Sequence, residues 1–156
     1  MRLGRGQTAL VTGASRGLGA EIARSLAQRG LDLVLTARSR EALETVAHVI
    51  RTETGRQIHV IAADLSDPVS IIDLARTSQD RAGDIDVLVN NAGMDHPLRF
   101  DHRSSEDLRT MIAVNLTGRI LLTREILPRM IARRCGHIVN IASVAGLMSG
   151  PFEEPY

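Results

Sequence analysis

The sequence predicts an α/β fold, a doubly wound parallel sheet with helices on both faces. Short apolar runs alternate with helix-like stretches along the whole chain, the pattern of a sheet wound with crossover helices. The runs are rich in Val and Ile and mostly continuous rather than alternating, as strands covered on both faces are. The distinctive polar and glycine-rich motifs fall at the carboxyl ends of those runs, where ligands sit in such sheets.

The first run, residues 8–12 (TALVT), leads into Gly13-Ala-Ser15-Arg16-Gly17-Leu18-Gly19, a G-x-x-x-G-x-G turn. Small residues let the chain turn sharply and bring backbone N–H groups close to an anion. A helix opening at Gly17 aims its positive end at the same place, and Ile22, Ala23 and Leu26 give it an apolar face. The second run, 31–36 (LDLVLT), continues into Ala37-Arg38-Ser39. Leu43, Val46, Ala47 and Ile50 follow at helical spacing. The third run, 58–63 (IHVIAA), ends at Asp64-Leu65. Ser66 is the expected N-cap of the next helix, with Pro68 in its first turn. The fourth, 85–90 (IDVLVN), runs into Asn91-Ala92-Gly93. Ser104-Ser-Glu-Asp107 resembles a capping box with Asp at its fourth position. Residues 118–134 carry Ile120, Leu121, Leu122, Ile126, Leu127, Met130 and Ile131, and Pro128 predicts a kink or a break there. The fifth run, 137–141 (HIVNI), precedes Ser143.

A chain of 156 residues with 44% apolar content can build the core of one domain over 1–156, and with 2% aromatic residues that core is aliphatic. A net charge of +1 gives no general attraction to nucleic acid or to an anionic membrane. No apolar run approaches the roughly 18 residues of a membrane span, and the opening Met-Arg-Leu-Gly-Arg-Gly is too short and polar for a signal peptide. One cysteine, Cys135, excludes an intrachain disulfide and suits a reducing, cytoplasmic compartment, with the thiol expected to be buried and inert. His96 and His102 sit in a polar loop without metal-ligand spacing, so no metal site is expected. All 19 basic residues are arginine.

The turn TGASRGLG, Asp64-Leu65, the run Asn90-Asn91-Ala92-Gly93, and Ser143 followed by Tyr156 after 13 residues occur in that order. Together they resemble the short-chain dehydrogenase/reductase family across essentially the whole chain. The resemblance implies a Rossmann-like, dinucleotide-binding domain and hydride transfer between a nicotinamide cofactor and an alcohol or carbonyl substrate. It places Gly13, Ser15, Arg16, Gly17, Leu18 and Gly19 at the phosphates and Asn91, Ala92 and Gly93 along the cofactor. Asp64 would bind the adenine amino group with Leu65 packed nearby; a cap on the following helix is the alternative for Asp64. Where an acidic residue would accept the 2′-hydroxyl of NAD, the second run offers Arg38, with Arg16 in the glycine turn. Guanidinium suits phosphate, so NADP(H) is expected over NAD(H), two solvated arginines being the alternative.

In the same resemblance Tyr156 is the acid/base, Ser143 polarises or orients the carbonyl, and Asn115 is a support residue, or else a structural one. A phenol titrates near pH 10 unless positive charge lies close. In the family that charge comes from a lysine four residues after the tyrosine, and this sequence holds no lysine and stops at Tyr156. The expectation is therefore a piece of a longer reductase, its sheet incomplete at the C-terminal edge, binding cofactor weakly and turning over little by itself. An inactive nucleotide-binding module is the alternative. Members of the family commonly pair through the helix at 118–134 and a later one, so the resemblance implies a homo-oligomer for the complete protein but not for these residues alone. The identity of the small-molecule substrate lies outside these residues.

Overall fold

The computed structural model describes residues 4–95 and 98–143. Its five strands are β1 (Thr8–Thr12), β2 (Asp32–Ala37), β3 (Ile58–Ala62), β4 (Val87–Asn90) and β5 (His137–Asn140). They form one parallel sheet in the order β3-β2-β1-β4-β5, with Val11 opposite both Leu35 and Val89. The chain steps outward from β1 to β3, then returns to add β4 and β5 on the other side. That reversal opens a crevice at the carboxyl ends of β1 and β4, the switch point of a Rossmann-like sheet.

The five helices are α1 (Gly17–Gln28), α2 (Arg40–Thr54), α3 (Pro68–Ala82), α4 (Ser105–Ile112) and α5 (Gly118–Arg133). Alternate residues of each inner strand serve opposite layers. Ala9, Val11, Leu33 and Leu35 pack against Ala23 of α1 and Leu43 and Ile50 of α2. Leu10, Val34 and Leu88 pack against Leu74 of α3 and Leu122, Ile126 and Met130 of α5. This two-sided cover is why the runs are continuously apolar. β5 differs: it lies at the edge of the sheet among the described residues, and three of its four residues are exposed.

The local signals hold with three corrections. The Ser104–Asp107 capping box forms reciprocally. The N-cap of α3, however, is Asp67, whose carboxylate accepts from Val69 N–H (3.0 Å) and Ser70 N–H (3.2 Å). Pro68 is pre-set for the first helical position, which makes the residue before it the cap. Nor does α5 break at Pro128. Pro128 and Arg124 lie on the exposed side, so the carbonyl that loses its partner faces water. The irregularity lies upstream, as a π-turn at Ala113–Thr117 between α4 and α5. Cys135 is only half-buried, because it follows the left-handed Arg134 (φ 52°) that ends α5. Among the described residues no helix is long and apolar enough to cross a membrane, and no cluster of metal-ligating side chains occurs.

Candidate active site

A groove of about 700 Å³ opens at the carboxyl ends of β1 to β4, and all twelve residues expected to hold a dinucleotide line it. Its wall at the β1–α1 turn is shaped by backbone proximity. Gly13 adopts a φ of +66°, and a Cβ there would press on the Ala92 backbone. A Cβ on Gly19 would collide with the Gly13 carbonyl and the Asn91 amide. Gly17 has open space around it but a φ of +55°, which disfavours any side chain.

The amino end of α1 is free for a ligand. Arg16 occupies the cap position in extended conformation without a side-chain hydrogen bond, and no acidic residue lies in the first turn. By contrast, Ser39, Asp67 and Ser104 cap α2, α3 and α4. Uncapped N–H groups and the helix dipole favour an anion, by about 0.3–1 kcal/mol when exposed. Arg16 and Arg38 line the same groove and are exposed. A dinucleotide phosphate therefore fits the donors present: a cradle that a Cβ would fill, free helix amides and two arginines.

Asp64 lies at the outer end of the groove. Its Oδ1 accepts from Ser66 N–H (2.9 Å) and from the Ser66 hydroxyl (2.8 Å), so it closes a local turn instead of capping α3. The Ser66 N–H, more than any other group, holds this carboxyl below the usual carboxylate range. Partial burial opposes the shift, and the Ser66 hydroxyl and the charge of Arg38 add to it.

Two residues that pattern reasoning missed organise the site. Thr12, fully buried at the end of β1, accepts with its hydroxyl from the N–H groups of Asn91 (3.0 Å) and Ala92 (2.9 Å). The Asn91 amide in turn donates to the Thr12 carbonyl (2.9 Å). This latch seats the Asn91–Gly93 turn on the glycine turn. Arg119, on the first turn of α5, donates to the carbonyls of Ala92 and Ile141. As the last residue of an apolar run, Thr12 looked like strand, and Arg119 like one of 19 surface arginines.

A second groove of about 420 Å³ adjoins the first and shares Leu18, Asn91, Gly93 and Met94 with it; Ser143 lines it. Asn115 sits in the π-turn and grips the backbone of Met94 at both ends, accepting from its N–H (2.8 Å) and donating to its carbonyl (2.8 Å). Asp95, also lining this groove, pairs with Arg103 at 3.2 Å, whose side chain is only 2% exposed. Burying that guanidinium requires such a partner, so the segment after Gly93 is anchored at both Met94 and Asp95. Ser143 thus lines the adjoining groove, Asn115 holds Met94, which lines both, and Tyr156 lies outside the described residues.

The short chain dehydrogenase family profile matches residues 7–156. The ketoacyl reductase HetN of Nostoc is 38% identical over 97% of this chain and 52% of its own length. A 3-oxoacyl-[acyl-carrier-protein] reductase of Synechocystis is 38% identical over 96% of this chain and 61% of its own. The chain therefore spans about half to three-fifths of the length of these relatives. Among solved structures, a 3-oxoacyl reductase from Agrobacterium tumefaciens with NADP bound superposes with a TM-score of 0.91 at 34% identity, over 100% of this chain and 62% of the other. A metagenomic short-chain oxidoreductase in complex with NADP gives 0.86 at 43% identity, over 91% and 63%.

Proposed function

The chain belongs to the short-chain dehydrogenase family, and from that premise we propose that it holds NADP(H) and that the protein carrying it is an oxidoreductase acting on an alcohol/carbonyl pair. The observation that carries this reading is the uncapped amino end of α1, opening with Arg16 and Arg38 onto a groove lined by all the expected residues. The amides of Gly17 to Gly19 would take the pyrophosphate, and the two arginines a 2′-phosphate. Asp64, with its second carboxylate oxygen, would accept from the adenine amino group against Leu65. The NADP complexes among the similar structures support the same cofactor.

When bound, the nicotinamide supplies or accepts the hydride. The protein's part is to place and protonate the other partner. Ser143, on the wall of the smaller groove, would donate a hydrogen bond to the carbonyl oxygen. Tyr156 would deliver the proton and needs positive charge nearby to act near neutral pH. Asn115 supports the site by fixing Met94 on the groove wall. The exposed apolar residues Ile112, Leu116, Ile120 and Ile131 offer a face for a second copy of the protein. A single cysteine suits a cytoplasmic setting.

Calorimetric titration tests the cofactor reading. NADPH should bind about tenfold tighter than NADH, the contribution of a charge-assisted phosphate contact, and Arg38→Ala should remove most of that ratio. Equal affinity for the two nucleotides would overturn it. Consumption of NADPH with a panel of ketones tests the activity.

A further inference from the structure

The parallel ladder between β4 and β5 ends at the pair Asn90–Asn140, with one more backbone bond from Ile141 N–H to the Asn90 carbonyl (3.0 Å). Beyond that point the two chains diverge into loops with different duties. One carries Ala92 and Gly93 on the wall of the larger groove. The other carries Ile141, Ala142 and Ser143 on the wall of the smaller.

Arg119 spans both loops. Its Nη2 and Nε donate to the Ala92 carbonyl at 2.9 and 3.3 Å, and its Nη1 donates to the Ile141 carbonyl at 2.9 Å. All three contacts are to neutral carbonyl oxygens at strand ends. A guanidinium can hold two such oxygens at once because its donors are splayed in a rigid plane; an ammonium has no such fork. The residue is half-buried and rooted on α5, whose apolar side is fixed to the sheet by Leu122 and Ile126. The fork is thus referenced to the core and not to the loops it grips.

We propose that Arg119 is a positioning residue: it sets the separation between the Asn91–Gly93 turn and the Ser143 segment. A carbonyl held by Ser143 then meets the nicotinamide end of the cofactor groove at reacting distance. The use of that separation rests on the oxidoreductase reading; the clamp itself does not. Loss of alignment by a fraction of a bond length lowers turnover without touching distant binding contacts.

The experiment takes the whole protein carrying these residues as wild type and compares it with Arg119→Met and Arg119→Lys by amide hydrogen exchange and by steady-state reduction of ketones with NADPH. Arg119→Met should speed exchange about tenfold at 91–94 and at 141–143 together, with β1 and β2 unchanged, the loss of charge-assisted bonds to both loops. It should lower kcat at least about tenfold while the Kd for NADPH stays within about threefold. Arg119→Lys should loosen one loop only and recover part of kcat. Exchange unchanged in both loops, or kcat and NADPH affinity falling in parallel, would overturn the proposal. Should the methionine variant fail to fold, wild-type exchange in both loops of the lysine variant overturns it equally. A wild type that turns over no ketone or alcohol refutes the oxidoreductase reading, while the exchange pattern still decides the clamp.

Discussion

Replacing Asn91 by Asp tests the latch beneath the glycine turn with almost no change of shape. In the native molecule the Asn91 Nδ2 donates to the Thr12 carbonyl at 2.9 Å and lies 3.4 Å from the Gly13 carbonyl. An aspartate puts an oxygen where that donor stood, so an attraction becomes a lone-pair repulsion at the buried end of β1. Asn91→Ala removes the donor alone, leaving a buried carbonyl short of a partner, at about 1–3 kcal/mol. Aspartate adds the cost of a charged acceptor facing two carbonyls, so its destabilisation should exceed that of alanine. With a urea slope of about 1–3 kcal/mol per molar for a domain of this size, the alanine midpoint should fall by about 1 M. The aspartate midpoint should fall further. Urea denaturation followed by far-UV circular dichroism reads both. An aspartate variant as stable as wild type, or more stable than the alanine variant, would show that the amide does not donate to Thr12 and would refute the latch.

Three further outcomes follow from other contacts. Asp86, 8% exposed, accepts from Thr8 N–H at 2.9 Å and pairs with Arg133 at 2.8 Å. Asp86→Ala should cost about 3 kcal/mol by urea titration, whereas Asp73→Ala, which breaks an exposed pair with Arg76, should cost under about 0.5; similar values for the two would be wrong for this packing. Asp64 titrates below the usual range, chiefly through the Ser66 N–H. A depressed carboxyl stabilises the fold above its unfolded pKa and loses that contribution as pH falls through the folded value. Ser66→Ala, lacking one donor, should therefore move the Asp64 NMR titration upward, and an unmoved curve would count against the hydroxyl contact. Finally, the whole protein carrying these residues should sediment as a dimer and its Ile120→Glu variant as a folded monomer, an unchanged mass excluding this face as the contact.

What could be read from the sequence was what is decided locally. The glycine turn, the capping box at Ser104 and the apolar runs each depend on residues within a few positions. The turn and the box stand where their patterns put them, and each run overlaps a strand whose ends differ by at most two residues. Serine is a good cap, which favours Ser66 on composition alone, but Pro68 decides for Asp67 through its own fixed φ. The latch and the clamp were not legible. Thr12 meets Asn91 79 positions away, and Arg119 meets Ala92 27 positions away. No periodicity announces such meetings, since only the parallel pairing of β1 with β4 and the docking of α5 bring the partners together. Asn115 was found by resemblance, yet its grip on Met94 became visible only with the π-turn that points it there.

That π-turn has a consequence for how this part of the chain can change. From Ser105 to Arg133 the backbone is one rod whose two halves are out of phase at Ala113–Thr117. A regular helix advances about 100° per residue. Deleting one residue from the turn would restore regularity and rotate one half against the other by that angle. Either Leu122, Ile126 and Met130 would swing off the sheet, or Asn115 would swing off Met94. A change of length here cannot be absorbed locally, and the spacing from Asn115 to Leu122 should be as fixed as any residue identity in the site.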